Sequence, residues 1–406
     1  MNIKKITFLS VSLAGALAFA EEAAALPPVA TVTDVAYAQG TTRRVTVTYK
    51  LAGTKAVVTL DVLTNGVSVG GAALANVTGD VNHWIEPGDD VKTILWRPRK
   101  TLPNLKFEQG EVSVVVKAWD AGAMPPFLAV DLRSGTPADG RIAYYASEDA
   151  VPGGVSNDLY KTEAILLKLV PAAGESFAMG SPASEMGRNA ARERHHMVSF
   201  TNDFYMGIYP VTAAQHDFAT GKGLDGYDPR SSYQKGDAVS LRGSKVRWPT
   251  DGHKVDSGSY IAAWRNKYGV DFDVPTSAQW EYVCRAGTRT IFYWGTDTNK
   301  TALAAHGYTA EGTDNIVGLH IPNGWGFHDL VSAPWEMCLD WTGPTEGLSD
   351  IEPTGPLGPS SDDQNRFVGR GKASAIDGAR SAKVNPQSRS YAAYAYRLMC
   401  PVTLKW

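Results

Sequence analysis

The residues able to do chemistry in this chain are few. Its only thiols are Cys284, Cys338 and Cys400. They form no Cys-x-x-Cys pair, and their wide spacing does not suit a zinc site. In an oxidising compartment two of the three could pair, leaving one over. His195-His196 stands beside Glu193 and Arg194, but adjacent strand residues point to opposite faces and do not chelate one ion. His306, His320 and His328 share a region without ligand spacing, and nothing around them supports a Ser-His-Asp hydrolase. Gly221-Lys222-Gly223 follows no clear strand and lacks the Lys-Ser/Thr ending of a phosphate loop.

The elements that would hold such residues divide the chain in two. At 406 residues it is too long for one ordinary core. Hydrophobic residues at 43% and charged residues at 20% describe a globular protein, and a net charge of −3 gives no electrostatic grip on nucleic acid. Lys4-Lys5, the apolar run Ile6–Leu17 and Ala18-Phe19-Ala20 predict a signal peptide over residues 1–20. The mature chain is therefore expected to be exported, periplasmic or extracellular, with no transmembrane segment. Residues 27–120 read as an all-β sandwich of immunoglobulin or fibronectin type III kind. The period-two runs Arg44–Tyr49, Val57–Val62 and Val112–Val116, with Thr93–Trp96, are punctuated by Asn65-Gly66 and Gly70-Gly71. Residues 121–162 form an ordered connector, with candidate strands at Phe127–Val130 and Ile142–Tyr145.

Residues 163–406 are loop-rich α+β. One helix is expected about Ser259–Lys267. Another is expected about Ser277–Ala286, opened by a Thr276/Gln279 capping box and closed by Gly287. The rest must be loop held by aromatic anchors, a use for the 11 Trp and 17 Tyr.

Four segments, in order, resemble the formylglycine-generating enzyme, or sulfatase-modifying factor, family. The first is Phe177-Ala178-Met179-Gly180-Ser181, with Glu185, Gly187-Arg188, Glu193 and His196, running into Phe204–Thr212 and Gln215. The second is Val274–Thr288, built around Trp280-Glu281-Tyr282. The third is Pro322–Leu330 followed by Trp335-Glu336-Met337-Cys338-Leu339-Asp340-Trp341. The fourth is Arg370-Gly371 with Arg380-Ser381-Ala382 and Tyr396-Arg397-Leu398. The resemblance implies a compact domain related in architecture to C-type lectin folds.

It also implies departures. Family enzymes carry a cysteine pair after the Arg-Gly start, and soft thiolates are what hold Cu(I). Here Arg370–Arg380 contains no cysteine, so neither copper nor oxidase chemistry is expected. The family's calcium loop maps onto Asp329, Ser332, Pro334 and Glu336, and hard oxygen ligands suit calcium. Family placement implies a disulfide between Cys284 and Cys400. A ligand-binding surface is expected around Lys372, Ser374, Asp377 and Arg380, and around the Tyr/Ala/Ser-rich end at Tyr391 and Tyr394. Tyrosine there offers contact area at low entropy cost, and a final strand packed in the core explains the same composition. The expected role is non-catalytic binding of a protein or glycan surface. A divergent oxidase, a structural envelope component and a retroelement-diversified binder are the alternatives.

Overall fold

The computed structural model describes residues 29–40, 43–103, 111–133, 141–221, 241–242, 246, 254–307, 316–331, 335–356, 366–371, 376–388 and 392–402. The expected signal peptide lies outside them, as do Ser332, Pro334, Lys372, Ser374 and Tyr391. Among the described residues no helix is long and apolar enough to cross a membrane.

The period-two runs form strands. Thr31–Gln39, Val45–Ala52, Gly88–Trp96 and Val77–Gly79 make one antiparallel sheet in that order. A second is built on Ala56–Thr64, which pairs with Val67–Ser68, Trp84–Ile85 and along its whole length with Val112–Trp119. Asn65 and Gly66 (φ 51° and 79°) make the tight turn from Thr64 to Val67, where two successive positive φ values match strand twist. Val47, Tyr49 and Leu51 of the first sheet share one buried cluster with Val58, Leu60 and Val62 of the second.

Val57, on the other face of its strand, joins Leu128, Tyr144 and Tyr205 in a different cluster, with Trp84 and Trp119 packed against it. The strand Ala56–Thr64 is thus covered on both faces, which period-two reading alone would not show.

The segment expected to be a connector contributes two strands to the next sheet. Ile142–Tyr145 pairs with Phe127–Asp131, which pairs with Ala164–Val170, then Phe204–Gly207, then Met399–Pro401, all antiparallel. A further sheet runs Leu241–Arg242, Ala392–Ala395, Trp335–Trp341, Arg366–Arg370, Asn385–Ser388. Ser176–Met179 and His196–Ser199 form a separate hairpin.

Both expected helices form. Tyr260–Tyr268 is capped by Ser259 and closed by Gly269. Ser277–Arg285 carries the Thr276/Gln279 box, and its left-handed C-cap is Ala286 (φ 46°), with Gly287 after it. Among the described residues, two more helices longer than four residues, Ala213–Thr220 and Lys300–Ala305, were not expected.

The five-stranded sheet explains why the expected disulfide does not form. Cys400 and Tyr205 lie opposite one another and face one cluster. The helix carrying Cys284 packs on the other face, with Phe204 and Met206. The sheet separates the two sulfurs, and Cys284, Cys338 and Cys400 are all buried free thiols. A thiol reagent is therefore expected to find none of them in the folded protein. In denaturant, without reductant, it should find all three. A single titrating thiol in denaturant would reinstate a disulfide.

Candidate functional site

The motifs of the second half converge on three buried arginines: Arg370, Arg380 and Arg397. Burying a guanidinium is costly unless its donors are matched; each of the three meets acceptors from a distant motif, and only Arg380 Nε is left without a hydrogen-bond partner among the described residues.

Arg397 donates to Oε1 of Glu336 at 2.7 Å and Oε2 at 3.1 Å, and to the carbonyls of Gly207, Ile208 and His328. Trp280 Nε1 donates to the same Glu336 Oε2 at 2.9 Å. Arg380 binds Glu193 through two bonds of 2.8 and 2.9 Å, Glu185 at 2.7 Å and the Gly187 carbonyl. Ser181 completes the Glu193 carboxylate. Its carboxyl is held below the ordinary value, since the bonds from Arg380 and Ser181 together outweigh the opposing cost of burial, which is the largest single influence. Arg370 pairs with Glu281 at 3.1 Å and donates to Ser277 Oγ.

Glu281 and Arg285, one helical turn apart, bond each other at 2.8 Å and clamp Gly180. Glu281 accepts the Gly180 N–H and Arg285 donates to the Gly180 carbonyl, both at 2.9 Å. Gly180 has φ +81°, and a Cβ there would sit 2.1 Å from the Arg194 carbonyl oxygen. Only glycine fits.

This geometry bears on two expectations. Arg380 is not part of a ligand-binding surface: it is 1% exposed and spent on Glu185 and Glu193. Glu336, expected as a calcium ligand, accepts from Arg397 on both oxygens and from Trp280 on Oε2. Asp377 is partly exposed, but it is paired with Lys383 at 2.8 Å. Tyr394 pairs through its backbone with Leu241 and Trp335.

Asp329 differs from these carboxylates. It is buried in a left-handed backbone (φ 57°), and its Oδ2 accepts the Gly318 N–H at 2.7 Å. Burial pushes its carboxyl up to about 7. Among the described residues no group of three His, Cys, Asp or Glu could hold a metal. His196 places Nδ1 on the Arg194 carbonyl and Nε2 3.4 Å from Asp350, while the neighbouring His195 is exposed.

The one Gly-x-Ser-x-Gly string, Gly66-Val67-Ser68-Val69-Gly70, escaped the sequence reading. It is a hairpin edge rather than a nucleophile elbow: Ser68 Oγ donates to Asp61 at 2.7 Å and accepts from Gly70 N, with no imidazole bonded to it.

Asp340 gives the site a pH signature. It accepts the backbone N–H of Ser277 at the start of a helix, and burial pushes its carboxyl up to about 6 from 3.8. The folded state holds a proton that the unfolded chain releases. The stabilisation is therefore full below about pH 4 and is lost as pH rises through 6. Asp340→Asn, which keeps an acceptor, is expected to be more stable than wild type at pH 8 by up to roughly 3 kcal/mol. The two should converge towards pH 4 in urea unfolding; a pH-independent difference would contradict this.

Comparison with known proteins follows this arrangement. The sulfatase-modifying factor enzyme 1-like domain matches residues 162–396. Formylglycine-generating enzyme of Bos taurus is 25% identical over 241 residues, covering 48% of this chain and 63% of its own length. That of Mus musculus is 25% identical over 246 residues with the same coverage. The chain thus spans less than two thirds of these relatives. Similar solved structures include Treponema denticola variable protein 1 (TM-score 0.46, 16% identity, 59% of this chain and 95% of that one). PvdO from Pseudomonas aeruginosa is another (TM-score 0.41, 23% identity, 58% and 94%). With more than half its length matched by the family, this chain belongs to the sulfatase-modifying factor enzyme 1-like domain family.

Proposed function

We propose that the chain is an exported, non-catalytic member of this family whose role is to bind a protein or glycan surface. One observation carries the reading. The Arg370–Arg380 segment has no cysteine, and the three cysteines present elsewhere are buried. What the fold retains is the scaffold of buried arginine clamps, which positions loops and performs no reaction. Residues 27–120 serve in this reading as an immunoglobulin- or fibronectin-like sandwich ahead of the family domain. The deciding experiment is an assay for aldehyde formation on a cysteine peptide.

A structural calcium ion at Asp329 belongs to the same proposal. Asp329 is a buried hard-oxygen group that makes no ion pair among the described residues, and the loop expected to add the carbonyls of Ser332 and Pro334 follows it directly. Calcium at a hundred times its dissociation constant would add about 2.7 kcal/mol to folding stability. The melting temperature is expected to rise in calcium relative to chelator, and Asp329→Asn should abolish the rise. Identical melting of the wild type in both conditions removes calcium from the account.

A further inference from the structure

A cleft of about 580 Å³ opens between the N-terminal β region and the family domain's sheet. One wall is residues 74–83. The other comes from the strands Phe127–Asp131 and Ile142–Tyr145 and from residues 152–164. Its size and its place between two structural regions suit a small-molecule site.

The polar groups on its walls divide into two sets. Arg133 is committed, donating to both oxygens of Asp131 and lying 3.8 Å from Glu163. Arg141 donates to the Lys267 carbonyl. The second set has unspent hydrogen-bonding capacity. Neither the Asn82 side-chain amide nor the Tyr145 hydroxyl makes a hydrogen bond among the described residues, and both residues line the cleft. His83 Nδ1 lies 2.9 Å from the Val81 carbonyl, so this nitrogen carries the proton and Nε2 is left as an acceptor. A smaller pouch continues the cleft and shares Asn82 and Tyr145 with it. Tyr144 lines this pouch, and its buried hydroxyl makes no hydrogen bond of ordinary geometry.

An amide, an imidazole acceptor and a phenol together offer donors and acceptors without a net charge to neutralise. Apolar residues, Leu74, Val77, Ile142 and Leu159, complete the walls. Vicinal hydroxyls, each both donor and acceptor, on a ring with a C–H face match that combination. An anion would need a guanidinium not already committed.

We propose that this cleft binds a neutral saccharide of one or two rings through Asn82, His83 and Tyr145. The proposal rests on the reading of the chain as a binding protein and names its ligand class. The two fail separately, because the non-catalytic reading is decided by aldehyde formation and this one by sugar binding.

The test is calorimetric titration of the full chain with maltose, cellobiose, lactose and chitobiose in turn. At least one is expected to bind at a single site with a Kd below about 10 mM. Tyr145→Phe, which keeps the ring, should weaken it by about 5–10-fold, the effect of one hydrogen bond. Ala75→Trp, at an exposed position on the rim, should fill the entrance and abolish binding with melting unchanged. Absence of saturable binding by all four sugars overturns the proposal, as does wild-type affinity in Ala75→Trp.

Discussion

Replacing Arg397 with methionine is expected to lower folding stability by about 3–5 kcal/mol, the usual cost of stranding a buried charge. Among the described residues, the Glu336 carboxylate, 1% exposed, would keep only the Trp280 N–H as a side-chain donor. Three carbonyls, those of Gly207, Ile208 and His328, would lose the guanidinium at the same time. For a domain of this size the change corresponds to a fall in melting temperature of roughly 6–20 °C. The double variant Arg397→Met with Glu336→Leu separates the causes. If the cost lies in the uncompensated charge, the double variant should regain a large part of the loss, because buried ion pairs contribute little against apolar replacements. If it melts as low as the single variant, the carbonyl bonds carry the stability instead.

The same clamps show how much of the molecule was legible in the sequence. Glu185, Glu193, Glu281, Glu336, Arg370, Arg380 and Arg397 all stood in the segments that carried the family resemblance. Their pairing did not. Glu193 meets Arg380, and Glu336 meets Arg397, across long stretches of chain, and local periodicity has no access to such contacts. An arginine beside alanine and serine, as at Arg380, reads as surface until its two carboxylates are found.

Local chemistry was more readable. The Thr276/Gln279 box marked its helix because both reciprocal bonds are made within four residues. An identical box at Thr212/Gln215 opens the helix Ala213–Thr220, and its residues were on view without being read that way. The strands at 127–131 and 142–145 were visible as strands, but Ala164–Val170, which pairs with Phe127–Asp131 on its other edge, was not. That is why a segment that completes a sheet looked like a connector. The thiols erred in the same direction: two cysteines on elements that pack together suggested a bond, whereas strand alternation sends Cys400 to the opposite face of the sheet from Cys284.

Incubating the copper-loaded protein with a sulfatase-type cysteine peptide is expected to yield no aldehyde above a copper-only control. Oxidation of this kind needs a metal held by thiolates, and the protein offers none at hand. Burial pushes the Cys284 thiol up to about 12 and raises Cys338 and Cys400 as well. At neutral pH roughly one Cys284 in 10⁴–10⁵ would then be ionised. Nor can Cys284 and Cys400 meet around one ion without unfolding, since they face opposite sides of a sheet. Moving cysteines into the Arg370–Arg380 segment is not a ready rescue. Ala379 is itself 1% exposed and packed in the cluster with Trp280 and Phe292, so a thiol there would be as inert as the three already present. Mass spectrometry of the peptide decides the matter. Aldehyde that requires the protein, and that disappears when Cys284, Cys338 or Cys400 is changed to serine, would return this chain to the enzymes of its family.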